Sequence, residues 1–356
     1  MDSKKITVAI GLVIGVISAL LVKFGNPANM GFCIACFIRD TAGALGLHRA
    51  QPVQYIRPEI IGLVLGSCIA AIGGKEFQAR GGSAPMTRFV LGFFVMVGAL
   101  MFLGCPFRMV LRLAGGDLNA VMGLAGFFIG ILAGVFFLNK GYTLKRSYRL
   151  PIAEGTIMPA VQIVLLVLLV AAPAFIFFSG NFPDVKGPGK AHAAIIISLC
   201  AGLVVGYLCQ KSRFCMAGGF RDFILFKETR LLLGFAAIFA AALAVNIFIG
   251  KFKLGFEAQP VAHTDFLWNF LGMALVGLAS VLLGGCPLRQ LILSGEGSTD
   301  SAITALGLLV GSAFCHNFGL ASSAAGATFN GKAAVVIGII VTAAIGFANC
   351  AENKEA

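Results

Sequence analysis

Long apolar segments alternate with short polar stretches along most of the chain. A membrane-spanning helix needs about 20 apolar residues, and apolar runs of roughly that length predict about ten spans. They lie near residues 6–24, 56–73, 86–104, 117–139, 157–179, 191–209, 231–250, 265–284, 300–319 and 333–350. The pattern therefore predicts an all-α, polytopic integral membrane protein whose surroundings include the lipid bilayer.

Composition supports this class of protein. Hydrophobic residues make up 58% and charged residues 12% of the 356 positions, and the mean hydropathy is +0.94, whereas about a quarter of a soluble protein is charged. The net charge of +12 is typical of basic residues that flank membrane helices on the cytoplasmic side, and part of it could attract an anionic solute. Nucleic acid is not an expected partner. The basic, then apolar, N-terminal stretch is interpreted as the first span rather than a signal peptide.

Two segments fit neither a clean span nor an ordinary loop. These segments are "NPANMGFCIACFIRDTAGALG" (26–46) and "CQKSRFCMAGGFRDFILF" (209–226). Both are too polar and too short to be clean spans, and too apolar to be ordinary loops. Irregular backbone is tolerated at membrane depth only where protein or a water-filled cavity surrounds it. We therefore predict re-entrant or half-helix segments at both places.

The two halves of the chain resemble each other. "GFCIACFIRD" (31–40) matches "RFCMAGGFRD" (213–222), which aligns Cys33 with Cys215. Gly-Cys-Pro-x-Arg occurs around Cys105 and again around Cys286, at nearly the same offset along the chain. A linker rich in Pro, Gly and charge, "SGNFPDVKGPGK" (179–190), lies between the copies.

This repeat predicts two membrane units, residues 1–180 and 181–356, with about five spans each. An odd number of spans inverts the second unit relative to the first. Inverted repeats are typical of transporters, in which the solute binds at the repeat interface. Loop charges favour cytoplasmic N- and C-termini.

The Gly-Cys-Pro-x-Arg motif places unusual chemistry in a membrane. Proline is favoured at the first position of a helix, so Pro106 and Pro287 are predicted to start short helices with Cys105 and Cys286 at the N-cap positions. A helix N-terminus is partly positive and offers free N–H groups to an anion.

Arg108 and Arg289 fall in the first turn of these predicted helices. A buried arginine is costly in a membrane and is by default a functional candidate, so we predict that both compensate the charge of a passing anion. The alternative is structural: each arginine pairs with an acid such as Asp117, or reaches the membrane interface.

The Phe-Cys-x-Ala motif supplies two further thiols. Cys33 and Cys215, together with Cys105 and Cys286, are predicted to line one substrate path, each half contributing two thiols from its own side. The dipeptides that follow are predicted to be structural ion pairs that tie the re-entrant segments to spans. These pairs are Arg39 with Asp40 and Arg221 with Asp222.

Cys33 and Cys36 form a CxxC motif, whose spacing also suits redox chemistry or a metal ion. The second half has Gly218 in place of the second cysteine, and no partner CxxC or histidine pair completes a zinc site. We therefore predict no metal site and no cofactor. No nucleotide-binding or Ser-His-Asp motif is present, so an ATPase or a soluble-type enzyme is not expected.

The paired Gly-Cys-Pro-x-Arg motifs, the Phe-Cys-Met-x-Gly-Gly-Phe-Arg-Asp stretch and the repetition of one half of the chain in the other resemble the YeeE/YedE family over nearly the whole chain. The resemblance implies an hourglass-shaped sulfur-compound permease with pseudo-twofold symmetry, in which cysteines hydrogen-bond a passing anion such as thiosulfate. That role falls on Cys105, Cys286 and Cys33, and on Cys215 as the repeat equivalent. Overall, the sequence is most similar to YedE-related members proposed to act in selenium metabolism.

Together these observations predict a non-enzymatic importer in the cell (inner or plasma) membrane for a small sulfur or selenium species, with a cytoplasmic sulfur or selenium carrier protein as the receiving partner. The alternative is a membrane thiol enzyme that performs redox or sulfur/selenium-transfer chemistry through Cys33 and Cys36.

Overall fold

A computed structural model describes residues 3–351. Within that range ten helices are long: α1 (Ser3–Lys23), α3 (Pro58–Gly73), α4 (Pro85–Phe102), α6 (Asn119–Asn139), α7 (Ile152–Ala171), α8 (Ile195–Ser212), α10 (Arg230–Phe248), α11 (Phe266–Leu282), α13 (Thr299–Asn317) and α14 (Phe329–Ala351). Four helices are short: α2 (Ile34–Ala44), α5 (Pro106–Ala114), α9 (Met216–Phe226) and α12 (Pro287–Gly295). Two strands of two residues each, β1 (Arg80–Gly81) and β2 (Tyr148–Arg149), pair in antiparallel fashion.

Nine helical segments of the described chain are long and apolar enough to cross a membrane, so the predicted all-α, polytopic membrane fold is confirmed. The tenth long helix, α13, covers the predicted span at 300–319 but is less apolar, since Asp300 and His316 lie near its ends. The segments predicted to be re-entrant contain the short helices α2 and α9, each preceded by a break in the helical backbone.

The order of long and short helices is the same in both halves. Each half runs long, short, long, long, short, long, long, so that α1–α7 correspond in order to α8–α14. The largest helix contacts follow this correspondence: α1 packs on α10 as α8 packs on α3, and α4 packs on α13 as α11 packs on α6. The last helices do not follow it, because α7 packs on α3 and α12 whereas α14 packs on α4 and α11.

Glycines allow the paired helices to approach closely. A Cβ atom at Gly66 of α3 would lie 2.2 Å from the Leu203 carbonyl oxygen of α8, and one at Gly130 of α6 would lie 2.0 Å from the Ala274 carbonyl oxygen of α11. Both distances are impossible for real atoms, so only glycine fits. Small residues at helix interfaces are how membrane helices maximise packing in the absence of a hydrophobic driving force.

Hydrogen bonds between loops identify two opposite faces of the molecule. On face 1, the Asn26 side chain after α1 donates to Glu59 at the start of α3 (2.7 Å) and accepts from the backbone N–H of Ala193 just before α8 (2.9 Å). On face 2, β1 and β2 join the loop before α4 to the loop before α7. Helix α1 therefore ends at the face where its counterpart α8 begins.

Candidate functional site

The first thiol pair lies where two short helices begin. Cys33 is the N-cap of α2, and its Sγ accepts a hydrogen bond from the Cys36 backbone N–H (3.4 Å). Cys105 is the N-cap of α5, with Pro106 at the first helical position. The two thiols interact with each other and are buried. Together with Arg108 they form what we call the first half-site.

The second thiol pair repeats this arrangement with α9 and α12. Cys215 Sγ accepts from the backbone N–H groups of Gly218 (3.2 Å) and Cys286 (3.5 Å), and it lies 3.8 Å from Cys286 Sγ. Pro287 begins α12 directly after Cys286. These two thiols and Arg289 form the second half-site. All four cysteines are free thiols.

Local sequence explains why the thiols meet at helix N-termini. Proline lacks an N–H and has a fixed φ, so it starts a helix without loss of a hydrogen bond. The residue before a proline favours extended backbone, which suits an N-cap. Both Cys105 and Cys286 have this extended conformation. Each half-site thus combines two helix N-termini, which carry partial positive charge, with two weakly donating S–H groups. That combination is suited to a soft anion.

Arg108 is fully buried, and its bonding partners differ from the structural alternative considered for it. Asp117 pairs with Arg112 instead, at 2.6 Å, with both side chains fully buried. The interpretation of Asp117 as a partner of Arg108 is therefore wrong. Arg112 lies one helical turn closer than Arg108 to the C-terminal end of α5, and Asp117 lies in the turn that follows that end. Within residues 3–351 no carboxylate lies within ion-pair distance of Arg108.

Carbonyl oxygens surround the Arg108 guanidinium. It donates to Asn29 (3.1 Å), to Leu103 and to Val261 (3.2 Å), and its Nη1 lies 3.8 Å from Cys36 Sγ. Val261 has a φ of 50°, which is strained for a β-branched residue. Arg108 therefore holds a strained loop between α10 and α11 against the first half-site.

Arg289 has an acidic partner. Its Nη1 lies 3.0 Å from Glu296 Oε1, which Arg213 also contacts at 3.3 Å. Arg213 in turn pairs with Glu76 at 3.0 Å. A hydrogen bond from Gln210, together with the charge of Arg213, lowers the pKa of Glu76, so this network contains two positive and two negative charges on face 2.

Sequence reasoning missed Arg112 and Glu296. Glu296 lies seven residues after Arg289, a spacing that returns to the same helical face, so it could have been found. The bond between Arg112 and Asp117 crosses the turn after α5, and no helical spacing indicates it.

The Arg-Asp dipeptides form ion pairs within themselves. Arg39 Nη2 contacts Asp40 at 2.7 Å, and Arg57 at the start of α3 contacts the other oxygen of Asp40 at 2.7 Å, with all three side chains buried. Asp40 thereby ties α2 to a long helix. Arg221 and Asp222 pair at 2.8 Å but are partly exposed, and in the described chain they bond to no span.

The remaining candidate chemistry lies close to the first half-site. Cys36 Sγ donates to the Leu103 carbonyl oxygen (3.9 Å). No group of three or more His, Cys, Asp or Glu side chains between residues 3 and 351 is arranged to hold a metal ion. A cavity of about 410 Å³ beside α7 is lined mostly by apolar residues, with Glu154, Gln162 and two threonines among them, and none of the four thiols lines it.

The second half of the chain, which carries the second half-site, matches known proteins. Residues 211–350 match the sulphur transport family model. This part of the chain is therefore similar to sulphur-transport proteins. The match confirms the predicted YeeE/YedE resemblance for residues 211–350.

Two relatives are named as transporters. The chain is 31% identical over 123 residues to the thiosulfate transporter TsuA of Escherichia coli (strain K12), an alignment that covers 33% of each protein. It is 32% identical over 108 residues to the thiosulfate transporter TsuA of Spirochaeta thermophila, covering 30% of this chain and 32% of the relative. The chain therefore matches about a third of the length of these relatives.

Proposed function

We propose that this protein imports a small sulfur-containing anion of the thiosulfate kind, or its selenium counterpart, across the cell membrane without a cofactor and without chemical change. One observation carries the proposal: two buried thiol pairs, each at the meeting point of two helix N-termini, in a chain of membrane-spanning helices. The names of the two relatives support a sulfur compound as the cargo.

In this mechanism the thiols act as transient donors rather than permanent ligands. The anion loses its hydration shell and receives S–H and backbone N–H hydrogen bonds in its place. Soft sulfur or selenium atoms suit polarizable thiols better than hard, strongly hydrated anions do. Passage requires that binding be strong enough to enter and weak enough to leave, so several weak donors serve better than one tight site.

We further propose that residues 1–180 and 181–356 are inverted repeats, with the path at their interface. The meeting of the end of α1 with the start of α8 at face 1 supports opposite orientations. The described ends of the chain both lie toward face 2: Lys4 contacts Glu228 just before α10, and Cys350 contacts Phe137 near the end of α6. Because the loop charges favour cytoplasmic termini, we assign face 2 to the cytoplasm, where a carrier protein would accept the cargo.

Thiol labelling tests this topology in a background without other reactive cysteines. Single cysteines introduced at 139–145 should be labelled from the cytoplasmic side, and those introduced at 184–190 from the outside. Both sets labelled from one side would contradict the inverted arrangement.

One observation favours a second candidate, a thiol-transfer enzyme using Cys33 and Cys36. Cys33 and Cys36 lie together at the start of α2, where the Cys36 N–H donates to Cys33 Sγ (3.4 Å), and CxxC spacing suits thiol exchange. The two functions differ in whether the thiol forms a covalent bond to the cargo.

Uptake of ³⁵S-thiosulfate into proteoliposomes free of reductant distinguishes them. A transporter should accumulate unchanged thiosulfate, with competition by selenium analogues and little competition by sulfate. Absence of uptake, together with a persulfide trapped on Cys33 or Cys36 and sulfite released as the S–S bond of thiosulfate breaks, would favour the enzyme. The variant Cys36→Ala should keep uptake in the first case and lose the adduct in the second.

A further inference from the structure

The two half-sites differ in formal charge. The paired Gly-Cys-Pro-x-Arg motifs align segment 105–117 with segment 286–298. The first contains two arginines and one aspartate, a net charge of +1. The second contains Arg289 and Glu296, a net charge of zero. The thiols and prolines repeat between the halves, but the charges do not.

The bonding partners show that the two arginines differ in how much of their charge remains to attract an anion. Glu296 is 4% exposed and lies 3.0 Å from Arg289 and 3.3 Å from Arg213. It therefore neutralises the arginine of the second half-site directly. In the first half-site Arg108 bonds to carbonyl oxygens, which are dipoles and leave its full positive charge in place.

The first half-site has a glycine where the second has its acid. Gly115 occupies the position equivalent to Glu296. A Cβ atom at Gly115 would lie 2.0 Å from the Asn29 side-chain oxygen, so a larger residue there would require the Asn29 side chain to move. The backbone carbonyl of the same residue, Asn29, binds Arg108.

We infer that Glu296 makes the second half-site a release site, by competing with the transported anion for Arg289, whereas the first half-site holds the anion through the uncompensated Arg108. This inference rests on the proposed transport function. An anion that arrives beside Arg289 must displace a carboxylate and is repelled by it. Beside Arg108 no carboxylate of residues 3–351 lies within ion-pair distance. Glu296 is thus a positioning residue that sets the affinity at one end of the path.

The variant Glu296→Gln tests the inference in proteoliposomes. Removing the carboxylate frees the charge of Arg289 while keeping a side chain of similar size. We expect the half-saturating thiosulfate concentration to fall about tenfold, the change expected from one added charge-assisted contact. The maximum rate should fall as well, because release becomes slower.

Glu76→Gln is the matched control. It removes the outer carboxylate of the same network, is 39% exposed and does not contact Arg289 in the described chain. It should leave both transport parameters within about twofold of wild type, as expected for an exposed ion pair. If both variants lower the half-saturating concentration equally, general charge rather than Glu296 is responsible, and the inference is wrong.

A purely structural Glu296 predicts a different outcome: lower thermal stability and a lower maximum rate with an unchanged half-saturating concentration. That result would overturn the inference while leaving transport intact. Wild-type protein that shows no uptake would instead refute the proposed function itself. If Glu296→Gln cannot be purified, Glu296→Asp, which withdraws the charge by one methylene, should lower the half-saturating concentration by a smaller factor. No shift in that variant would also contradict the inference.

Discussion

The first and second half-sites have nearly the same backbone plan and different electrostatics. In both, a cysteine precedes a proline at the start of a nine-residue helix and meets a second cysteine that caps an eleven-residue helix. Around this plan, the first half-site has a buried arginine bonded only to carbonyl oxygens and a thiol, and the second has an arginine paired with a glutamate.

The thiols and the N–H donors therefore occur in both half-sites, whereas an uncompensated positive charge occurs in one. On the proposed function, a soft anion needs thiols and N–H donors along its whole path, which accounts for helix N-termini in both half-sites. Net charge is different, because a path with a strong positive site at each end would hold its cargo at both. A single uncompensated charge allows binding at one end and release at the other.

The largest expected effect concerns the feature that both half-sites share. Cys105→Ala and Cys286→Ala should each reduce uptake by about ten- to a hundredfold if the thiols donate to the cargo, since each variant loses one hydrogen bond to a charged group, about 1.5–3 kcal/mol. Folding should change little because the removed atom is small. Proteoliposome uptake and thermal unfolding measure the two effects.

Cys68→Ala is the control for these variants, since Cys68 lies on α3 and is only partly buried. It should transport like wild type. Normal uptake by both Cys105→Ala and Cys286→Ala would show that the thiols, the feature common to both half-sites, have no role in transport.

The next effect should differ between the two half-sites. Arg108→Gln removes the only uncompensated charge of its half-site and should weaken uptake about tenfold or more. Arg289→Gln removes an arginine whose charge Glu296 already offsets, and Arg213 still pairs with Glu296, so uptake should weaken by about threefold or less. Initial rates over a range of thiosulfate concentrations measure both. Equal losses would mean that Glu296 does not shield Arg289.

A third effect concerns stability, in a buried pair found only in the first half. Arg112→Gln strands Asp117 in a fully buried position and should lower the free energy of unfolding by about 3–5 kcal/mol. The double variant Arg112→Gln with Asp117→Asn should recover most of that loss and transport normally. Thermal unfolding of the single and double variants measures the coupling. A double variant that folds but does not transport would place Arg112 on the anion path.

The smallest effect follows from the number of guanidinium nitrogens through which each arginine makes its bonds. Arg108 donates from Nε, Nη1 and Nη2 to several partners, and lysine cannot reproduce that fork. Arg289 makes one ion pair, through Nη1, which lysine can replace. Arg108→Lys should therefore weaken uptake moderately, and Arg289→Lys hardly at all. The reverse order would show that the geometry at Arg289, rather than its charge, matters for transport.

Much of the fold follows from the sequence because its signals are local. Apolar length predicts the long helices, and proline after cysteine predicts the starts of α5 and α12. These features depend on residues close together in the chain, and the structure describes each of them as a helix or helix start at those positions.

Side-chain pairing within the site was less predictable because it depends on tertiary contacts. The sequence allows Asp117 as a partner for Arg108, but the turn after α5 directs it to Arg112. The carbonyl oxygens around Arg108 come from loops as distant in sequence as Asn29 and Val261. The different packing of α7 and α14 likewise has no signal in the apolar pattern, because both are uniformly apolar helices.

Locating a bound anion tests the central claim most directly. Crystals soaked with the selenium analogue of thiosulfate and measured at the selenium absorption edge should give an anomalous peak beside Cys33, Cys105 and Arg108. A weaker peak is expected beside Cys215 and Cys286. A dominant peak at the second half-site would contradict the assignment of holding and release sites. Selenium found only away from both thiol pairs would contradict the proposed path as a whole.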